Sequence, residues 1–269
     1  MSQSTNSSSG ELSQFGKGTG ATPIFASTMI LMTQEEVPRL LLLKRSDTVR
    51  FMPGALVFPG GRVDLEDRTK AQALIQAKPE WLDHWNKSAH WHRWGFESAD
   101  EPLAHVLGAL RELKEEAGID LDNHALIQTK SVGRWVTPSV LPRRYDTTFW
   151  MLSIAEPFTV QVDGSEITDS YWWTAQEVIQ AYQNGTIDLA VPTFRILSHL
   201  ADIDDQSPIE AMFELQRTST ICPRPVKVGN RLEMRLPGDV RYDGNDDASG
   251  ARHTVWREGT GRWQLLYDQ

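Results

Sequence analysis

The chain has 269 residues, long enough for one large domain or two small ones with a buried core. Hydrophobic residues make up 40% of it before glycine is counted, which is ordinary for a soluble globular protein and argues against wholesale disorder. The net charge of −9 leaves no global positive field to bind a nucleic-acid backbone or an anionic membrane. We therefore expect neither nucleic acid nor membrane as a partner.

Cysteine usage and the N-terminal sequence bear on the compartment. Cys222 is the single cysteine and cannot form an internal disulfide. The N-terminus lacks a basic segment followed by an apolar signal core, and the longest apolar runs are much shorter than the ~20 residues that span a bilayer. These features predict a cytoplasmic protein.

The first part of the chain is predicted to contain a tail, three strands and a helical segment. Residues 1–20 are mostly small and polar and are predicted to form a flexible tail. Segments dense in Ile, Leu, Phe and Val predict strands at 23–31, 39–43 and 55–58. Residues 67–101 are polar and Trp-rich, and prolines divide them into short helical pieces. Their tryptophans are predicted to pin this segment onto the core, with a lid over a ligand as the alternative.

A long helix is predicted over 102–117, and mixed elements follow it. Strands are predicted at 125–129, 147–155 and 170–173, and helices at 174–184 and 193–201, before an acidic connection or helix at 201–216. From residue 221 the pattern is β: Leu232 and Met234 alternate with charged residues, and 254–257 and 263–267 flank a hairpin turn. The predicted organisation is a tail (1–20), a main domain (21–201) and a mostly β extension (202–269).

The helix at 102–117 has two distinct faces. At 100° per residue, one apolar stripe contains Leu103, Val106, Leu107, Leu110, Leu113 and Ala117. Glu112, Glu115 and Glu116 cluster on the other side, where like charges three or four residues apart each cost a few tenths of a kcal/mol. A solvated face neutralised by Arg111 and Lys114 is the ordinary explanation, and a bound cation is the alternative.

The sequence around these glutamates matches a known motif. Residues 111–119 read R-E-L-K-E-E-A-G-I and fit R-E-U-x-E-E-x-G-U, where U is apolar, while Gly60 and Glu66 fit its first part, G-x5-E. The chain resembles the Nudix hydrolases, although 44 residues instead of seven separate Glu66 from Arg111. The resemblance implies an α+β Nudix fold, a mixed β-sheet sandwiched between helices, with a helical insertion inside the motif and a C-terminal β extension.

The resemblance also implies a metal-dependent reaction. It implies that Glu112, Glu115 and Glu116 hold Mg²⁺ or Mn²⁺, that one of them assists the attacking water, and that Arg111 orients a glutamate. Mg²⁺ suits such a helix because it binds oxygen ligands, usually one or two carboxylates together with substrate phosphates.

Further residues are candidates for the same site. Gly60 is a candidate ligand, and so is Glu166, which precedes Trp172 by six residues in an acidic loop; a solvated turn residue is the alternative for Glu166. The insertion leaves open whether Asp64, Glu66 or Asp67 contributes.

A second motif narrows the substrate. Residues 41–61 follow the pattern L-L-T-x-R-[SA]-x3-R-x3-G-x3-F-P-G-G with Leu43 in place of Thr. This resembles the branch of the family that contains the peroxisomal coenzyme A diphosphatase and its bacterial relatives. The implied substrate-binding residues are Arg45, Arg50, Gly54, Phe58, Gly60 and Gly61. Arginines suit phosphate groups because they donate bidentate hydrogen bonds, although ion pairs at a strand edge would also explain Arg45 and Arg50.

The expected reaction is hydrolysis of a nucleoside diphosphate linked to another moiety. The favoured substrate is coenzyme A or acyl-CoA, cleaved to 3′,5′-ADP and (acyl-)4′-phosphopantetheine. An enzyme acting on NADH, ADP-ribose or a nucleotide sugar is the first alternative, and a non-catalytic nucleotide-binding regulatory module is the second. The resemblance also makes a homodimer an expectation.

Overall fold

The computed structural model describes residues 20–49, 52–88, 91–203, 220–246 and 248–267. The strands are β1 (Ile24–Thr33), β2 (Arg39–Arg45), β3 (Leu56–Val57), β4 (Gly60–Arg62), β5 (Lys130–Val136), β6 (Tyr145–Ile154), β7 (Ile167–Thr174), β8 (Arg224–Val228), β9 (Arg231–Arg235), β10 (His253–Glu258) and β11 (Gln264–Tyr267). The helices are α1 (Leu65–Ala77), α2 (Pro79–Ser88), α3 (Asp100–Ala117), α4 (Asn123–Gln128), α5 (Ala175–Gln183) and α6 (Val191–Ala201), with a 3₁₀ turn at Trp91–Trp94.

The chain divides into two compact units. The larger unit comprises Phe25–Arg134 and Asp146–Thr220, and the smaller comprises Met1–Ile24, Trp135–Tyr145 and Ile221–Gln269. A seven-stranded sheet contains β3, β2, β1, β6 and β5 in that order, with β4 paired to β1 and β7 paired to β2. A separate four-stranded sheet contains β8 to β11 and belongs to the smaller unit. A distinct extension starting at residue 202 stays a prediction.

The seven-stranded sheet is buried on both faces. On β2, Leu41 and Leu43 enter the core cluster formed with α1 to α4, and their neighbours Leu40 and Leu42, on the opposite face, are equally buried. A continuous run of apolar residues is what a strand covered on both sides requires. The predicted mixed sheet between helices is confirmed.

The helical insertion packs onto this core. Trp85 of α2 is buried and stacks on Trp150 of β6, with ring centroids 5.7 Å apart. Trp94 is also buried, and its Nε1 donates to Ser131 Oγ at 2.6 Å. For these two residues the packing interpretation of the tryptophans is confirmed.

An aromatic and cationic stack ties the two ends of the insertion to the core. The ring of His105, on α3, meets Phe25 and Phe96 edge-on at 5.6 and 5.3 Å. The guanidinium of Arg68 lies over Phe25, and that of Arg134 lies over Phe96. Burial, with the nearby positive charges of Arg68 and Arg134, lowers the pKa of His105 to about 3, so this imidazole is neutral.

The strand predicted at 125–129 is wrong. These residues belong to α4 and its end, where the amide of Thr129 donates to the carbonyl of Ala125 at 3.0 Å. Leu126 of this helix is buried in the core cluster. A short apolar run does not distinguish a buried helix from a buried strand, and here the strand, β5, begins only at Lys130.

The predicted strand and hairpin of the smaller unit are confirmed as β9, β10 and β11. The buried side of β9, however, carries its charged residues: Glu233 and Arg235 are buried, whereas Leu232 and Met234 are half-buried. Glu233 accepts hydrogen bonds from Arg235 Nε at 3.2 Å and Arg241 Nη1 at 3.1 Å. Buried charges are tolerated when they are paired in this way.

No helix within the described part of the chain is both long enough and apolar enough to cross a membrane.

Candidate active site

The last two turns of α3 carry the acidic cluster. Gly118 ends the helix in a left-handed conformation (φ 68°), and its amide donates to the carbonyl of Lys114 at 3.0 Å. Leu113 on the core face is fully buried and fixes the rotation of the helix. Glu115 is exposed, but Glu116 is only 8% exposed, so the acidic face is not uniformly solvated.

The turn at Gly60 and Gly61 approaches these carboxylates closely. The amide of Gly60 donates to Glu116 Oε2 at 2.9 Å. A Cβ on Gly61 would lie 2.7 Å from Glu112 Oε2, and one on Gly60 would lie 2.7 Å from Thr28 Cα. At position 60 only glycine allows this approach to the neighbouring backbone, and at position 61 a side chain would displace the Glu112 carboxylate. The structure therefore brings Gly60 and Gly61 together with Glu112 and Glu116.

Glu116 is a buried carboxylate whose negative charge is only partly offset by its neighbours. Burial raises its pKa to about 8, opposed by the hydrogen bond from Gly60 and by the charge of Arg45, and reinforced by the charges of Glu112 and Glu166. Burial also raises the pKa of Glu112, despite its hydrogen bond from Arg111. A cleft that holds two carboxylates with raised pKa values is a candidate for function.

Arg111 connects the glutamates to the insertion. Its Nη1 donates to Glu112 Oε1 at 2.9 Å and to Glu115 Oε2 at 3.1 Å. Its Nη2 donates to Asp67 Oδ2 at 3.1 Å and to the carbonyl of Arg62 at 2.9 Å. Burial alone would lower the pKa of Arg111, but the hydrogen bonds to Asp67 and Glu112 raise it, so the guanidinium stays charged.

The charges of Arg45 and Glu166 reach Glu116. Both are near enough for their charges to act on its pKa, in opposite directions. Arg45 ends β2 at a register shift against β7, and such bulges re-aim a side chain. The carbonyl of Glu166 accepts a hydrogen bond from the amide of Ser46, and its own amide donates to Asp163 Oδ2, so the acidic loop is anchored beside Arg45.

The remaining predicted binding residues differ in exposure. Gly54 is left-handed (φ 72°), and a Cβ there would lie 2.7 Å from Asp47 Oδ1, so glycine is required in this loop. Phe58 is 4% exposed and offers little surface to a ligand. Arg50 lies outside the described residues. The roles of all three stay predictions.

The sequence makes Asp67 one of three acidic candidates for the site, and the structure shows that it contacts Arg111. Asp67 is buried beside Arg111, whereas Glu66, which fits the motif spacing, is exposed and pairs with Lys70 at 2.8 Å. The signal available in the sequence was the spacing of Asp64 and Asp67 at the start of a helix, a capping arrangement that turns the second carboxylate back toward the chain.

Comparisons with known proteins bear on the family. No protein-family model matches the chain. The chain is 28% identical over 226 residues to the putative nudix hydrolase 7 of Caenorhabditis elegans. The alignment covers 81% of this chain and 74% of the relative. It is 27% identical over 286 residues to the acyl-coenzyme A diphosphatase NUDT19 of Xenopus laevis, covering 80% and 74%.

A solved structure bears on the fold. The NUDIX hydrolase from Alicyclobacillus acidocaldarius matches with a TM-score of 0.51 and 21% identity, over 68% of this chain and 93% of the other. By sequence the chain is similar to Nudix hydrolases, and its fold matches that of one of them. The family resemblance carried by residues 111–119 is thereby confirmed, and these similarities support a pyrophosphatase activity.

Divalent metals are general in Nudix hydrolases, and the donor set of this chain fits such a cation. Glu112 and Glu116 are largely buried carboxylates whose raised pKa values mark a deficit of positive charge. Within the described residues no three acidic, His or Cys side chains already converge as a metal cluster, and Arg111 lies between Glu112 and Glu115. A cation held by one or two carboxylates with water and substrate phosphates matches the preference of Mg²⁺.

Proposed function

We propose that this Nudix hydrolase cleaves the diphosphate linkage of coenzyme A or acyl-CoA in a reaction that requires Mg²⁺ or Mn²⁺. The observation that carries the proposal is the meeting of Glu112 and Glu116 with the Gly60–Gly61 turn, beside the positive charge of Arg45. A diphosphate substrate is bound through carboxylates that hold a cation and through an arginine that donates hydrogen bonds to a phosphate.

Each side chain has a defined part in the proposed reaction. Glu112, Glu115 and Glu116 are the proposed metal ligands, with Gly60 and Glu166 as further candidates. A bound divalent cation would polarise the diphosphate and offset charge that develops in the transition state. Arg111 holds Glu112 and Glu115 at 2.9 and 3.1 Å, which keeps their oxygens in place while a substrate binds.

The choice of coenzyme A rests on residues 41–61 and on the name of one relative. Arg45 is the proposed contact for a phosphate of the substrate, together with Arg50. NUDT19 of Xenopus laevis, an acyl-coenzyme A diphosphatase by name, aligns with 80% of this chain. The presence of Glu112, Glu115 and Glu116 argues against a non-catalytic binding module. A cytoplasmic location and a homodimer stay predictions.

Product analysis tests the reaction. The protein is incubated with coenzyme A, acetyl-CoA, 3′-dephospho-CoA, NADH and ADP-ribose under Mg²⁺ or Mn²⁺, and the products are identified by mass spectrometry. We expect 3′,5′-ADP and 4′-phosphopantetheine from coenzyme A, and no product after chelation. Faster turnover of NADH or ADP-ribose would favour the first alternative, and no hydrolysis of any substrate would contradict the enzyme proposal.

A matched pair of arginine variants tests the phosphate contact. Arg45→Gln should raise KM for coenzyme A about 10- to 100-fold, because a charge-assisted hydrogen bond contributes about 1.5–3 kcal/mol. Arg39→Gln, at the other end of β2 and paired with Glu35, is the control and should leave KM unchanged. If 3′-dephospho-CoA is hydrolysed with the same kcat/KM as coenzyme A, Arg45 does not contact the 3′-phosphate and the choice of coenzyme A loses its support.

A further inference from the structure

The first turn of α1 places a buried carboxylate against the arginine of the acidic cluster. Asp67 is 1% exposed, and both of its oxygens accept from the guanidinium of Arg111: Oδ1 from Nε at 3.3 Å and Oδ2 from Nη2 at 3.1 Å. Two parallel contacts of this kind fix the plane of a guanidinium as well as its position. Asp67 therefore sets the orientation of Arg111.

Asp67 is itself held in place. Its Oδ2 accepts from the amide of Asp64 at 2.9 Å, at the point where α1 begins. A Cβ on Gly108 of α3 would lie 3.1 Å from the same oxygen, so the facing helix leaves little room for it to move. The carboxylate is confined by one hydrogen bond from its own helix and by close approach of the next.

The other edge of the guanidinium reaches the site. Nη1 of Arg111 is shared between Glu112 and Glu115, which carry like charges and would otherwise repel each other. A chain of contacts thus runs from Asp67 through Arg111 to two glutamates. The sequence separation of Asp67 and Arg111 is 44 residues, so this support comes from the insertion.

Glu66 does not share this position. Spacing within the motif points to Glu66, but its side chain is 71% exposed and pairs with Lys70 on the next turn of α1. Neighbouring residues on a helix point about 100° apart, so only one of the two faces α3.

We propose that Asp67 is a positioning residue that holds Arg111, and through it Glu112 and Glu115, in the arrangement required for hydrolysis and for metal binding. The insertion accordingly supplies part of the scaffold of the active site and is not a peripheral addition. This inference rests on the proposed function for its kinetic part and stands apart from it in its metal-binding part.

Isosteric variants of the two adjacent acids test the proposal. Asp67→Asn keeps the shape of the side chain but removes its charge. It should lower kcat for coenzyme A about 10- to 100-fold and change KM by less than about threefold, because losses of this size follow when a residue that orients a metal ligand is replaced. Binding of Mn²⁺ without substrate, followed by electron paramagnetic resonance, should weaken by a similar factor. Glu66→Gln is the control and should match the wild type in both measurements.

A double-substitution cycle separates positioning from a general structural effect. If Asp67 acts through Arg111, Asp67→Asn should cost nothing further in an Arg111→Met background. Additive losses would overturn the proposal. So would wild-type kcat and Mn²⁺ affinity in folded Asp67→Asn, or an equal loss in Glu66→Gln.

A second variant covers the case in which Asp67→Asn does not fold. Gly108→Ala favours the helix and pushes on Asp67 Oδ2, so it should fold and lose kcat several-fold. Unchanged kcat and unchanged Mn²⁺ affinity in this variant would contradict the inference. If the wild type hydrolyses none of the substrates, the proposed function fails, while the Mn²⁺ comparison still tests Asp67.

Discussion

Buried charge is treated in opposite ways in the two units of the molecule. In the larger unit, Glu116 is buried with one hydrogen-bond donor among the described residues, the amide of Gly60, and burial raises its pKa to about 8. In the smaller unit, Asp239 is also inaccessible to solvent, but hydrogen bonds from Thr254, Arg241 and His253 overcome the effect of burial and hold its pKa at about 2.

The difference distinguishes a structural charge from one that is a candidate for function. Asp239 belongs to a network in which Glu233, Arg235 and Arg241 satisfy one another, so nothing is left for a ligand to supply. The negative charges of Glu112 and Glu116 are incompletely neutralised by their neighbours, and a bound cation would neutralise them. Incomplete compensation, and not burial alone, marks the site.

The largest expected effect is the loss of the compensated network. Asp239→Ala should lower the free energy of unfolding by about 3–5 kcal/mol, because it leaves the buried Arg241 with Glu233 as its one remaining carboxylate partner among the described residues. Calorimetry measures the loss. Asp243→Ala, which removes an exposed carboxylate 3.4 Å from Arg224, is the control and should cost less than about 1 kcal/mol. Equal costs for the two would erase the contrast between the units.

The second effect is on catalysis in the uncompensated site. Glu116→Gln should lower kcat about 100-fold or more, as removal of one preorganised charged group does in other enzymes. Its melting temperature should equal or exceed that of the wild type, since a neutral amide avoids the cost of burying a charge. Steady-state kinetics and thermal unfolding check both halves, and an active or a strongly destabilised variant would contradict the assignment.

The third effect is a pH dependence of opposite sign in the two units, measured with chelator present. Glu116 has a pKa of about 8 when folded against 4.5 ordinarily, so its folded state binds the proton more tightly and stability falls as pH rises from 4.5 to 8. The stability advantage of Glu116→Gln should therefore grow across that window.

For Asp239 the folded pKa is the lower one, so its contribution is present above about pH 3.8 and is lost as pH falls toward 2. Thermal melts at pH 5 and 8 test the first sign, and acid titration of Asp239→Asn against wild type tests the second. An advantage of Glu116→Gln that shrinks with pH would show that its carboxylate is well compensated after all.

The smallest effect concerns the approach of the backbone to Glu112. In Gly61→Ala the new methyl overlaps the carboxylate, which has a flexible side chain and can move aside. We expect kcat to fall several-fold with little change in melting temperature, because misplacement of a reacting group by less than 1 Å is costly mainly for catalysis. A loss of stability without a loss of kcat would place the strain elsewhere.

Periodicity and motif spacing predict much of this fold and site. The apolar stripe of α3 predicts its buried face, and Gly118 predicts its end, since both depend on interactions within a few residues. The strand at β2 and the turn at Gly60 are found for the same reason. The family motif then supplies Glu112, Glu115 and Glu116.

Other features depend on contacts that a linear pattern does not contain. The helical state of residues 125–128 follows from packing of Leu126 into the core, and the burial of Glu233 follows from arginines two and eight residues away. Whether Asp67 or Glu66 contacts Arg111 depends on which carboxylate points at α3, and Arg111 is 44 positions further along the chain than Asp67. Counting residues along the motif points to Glu66, whereas the acid that accepts hydrogen bonds from Arg111 is Asp67.

The contact between Asp67 and Arg111 also has a consequence for the order in which the protein can become active. Closure of the 44-residue loop between Asp67 and Arg111 is slow compared with formation of a helix, because the chain must lose entropy before the contact forms. Helix α3 can therefore appear early in refolding while its glutamates are still unaligned. Recovery of hydrolysis should lag behind recovery of helical circular dichroism, with the delay set by docking of the insertion.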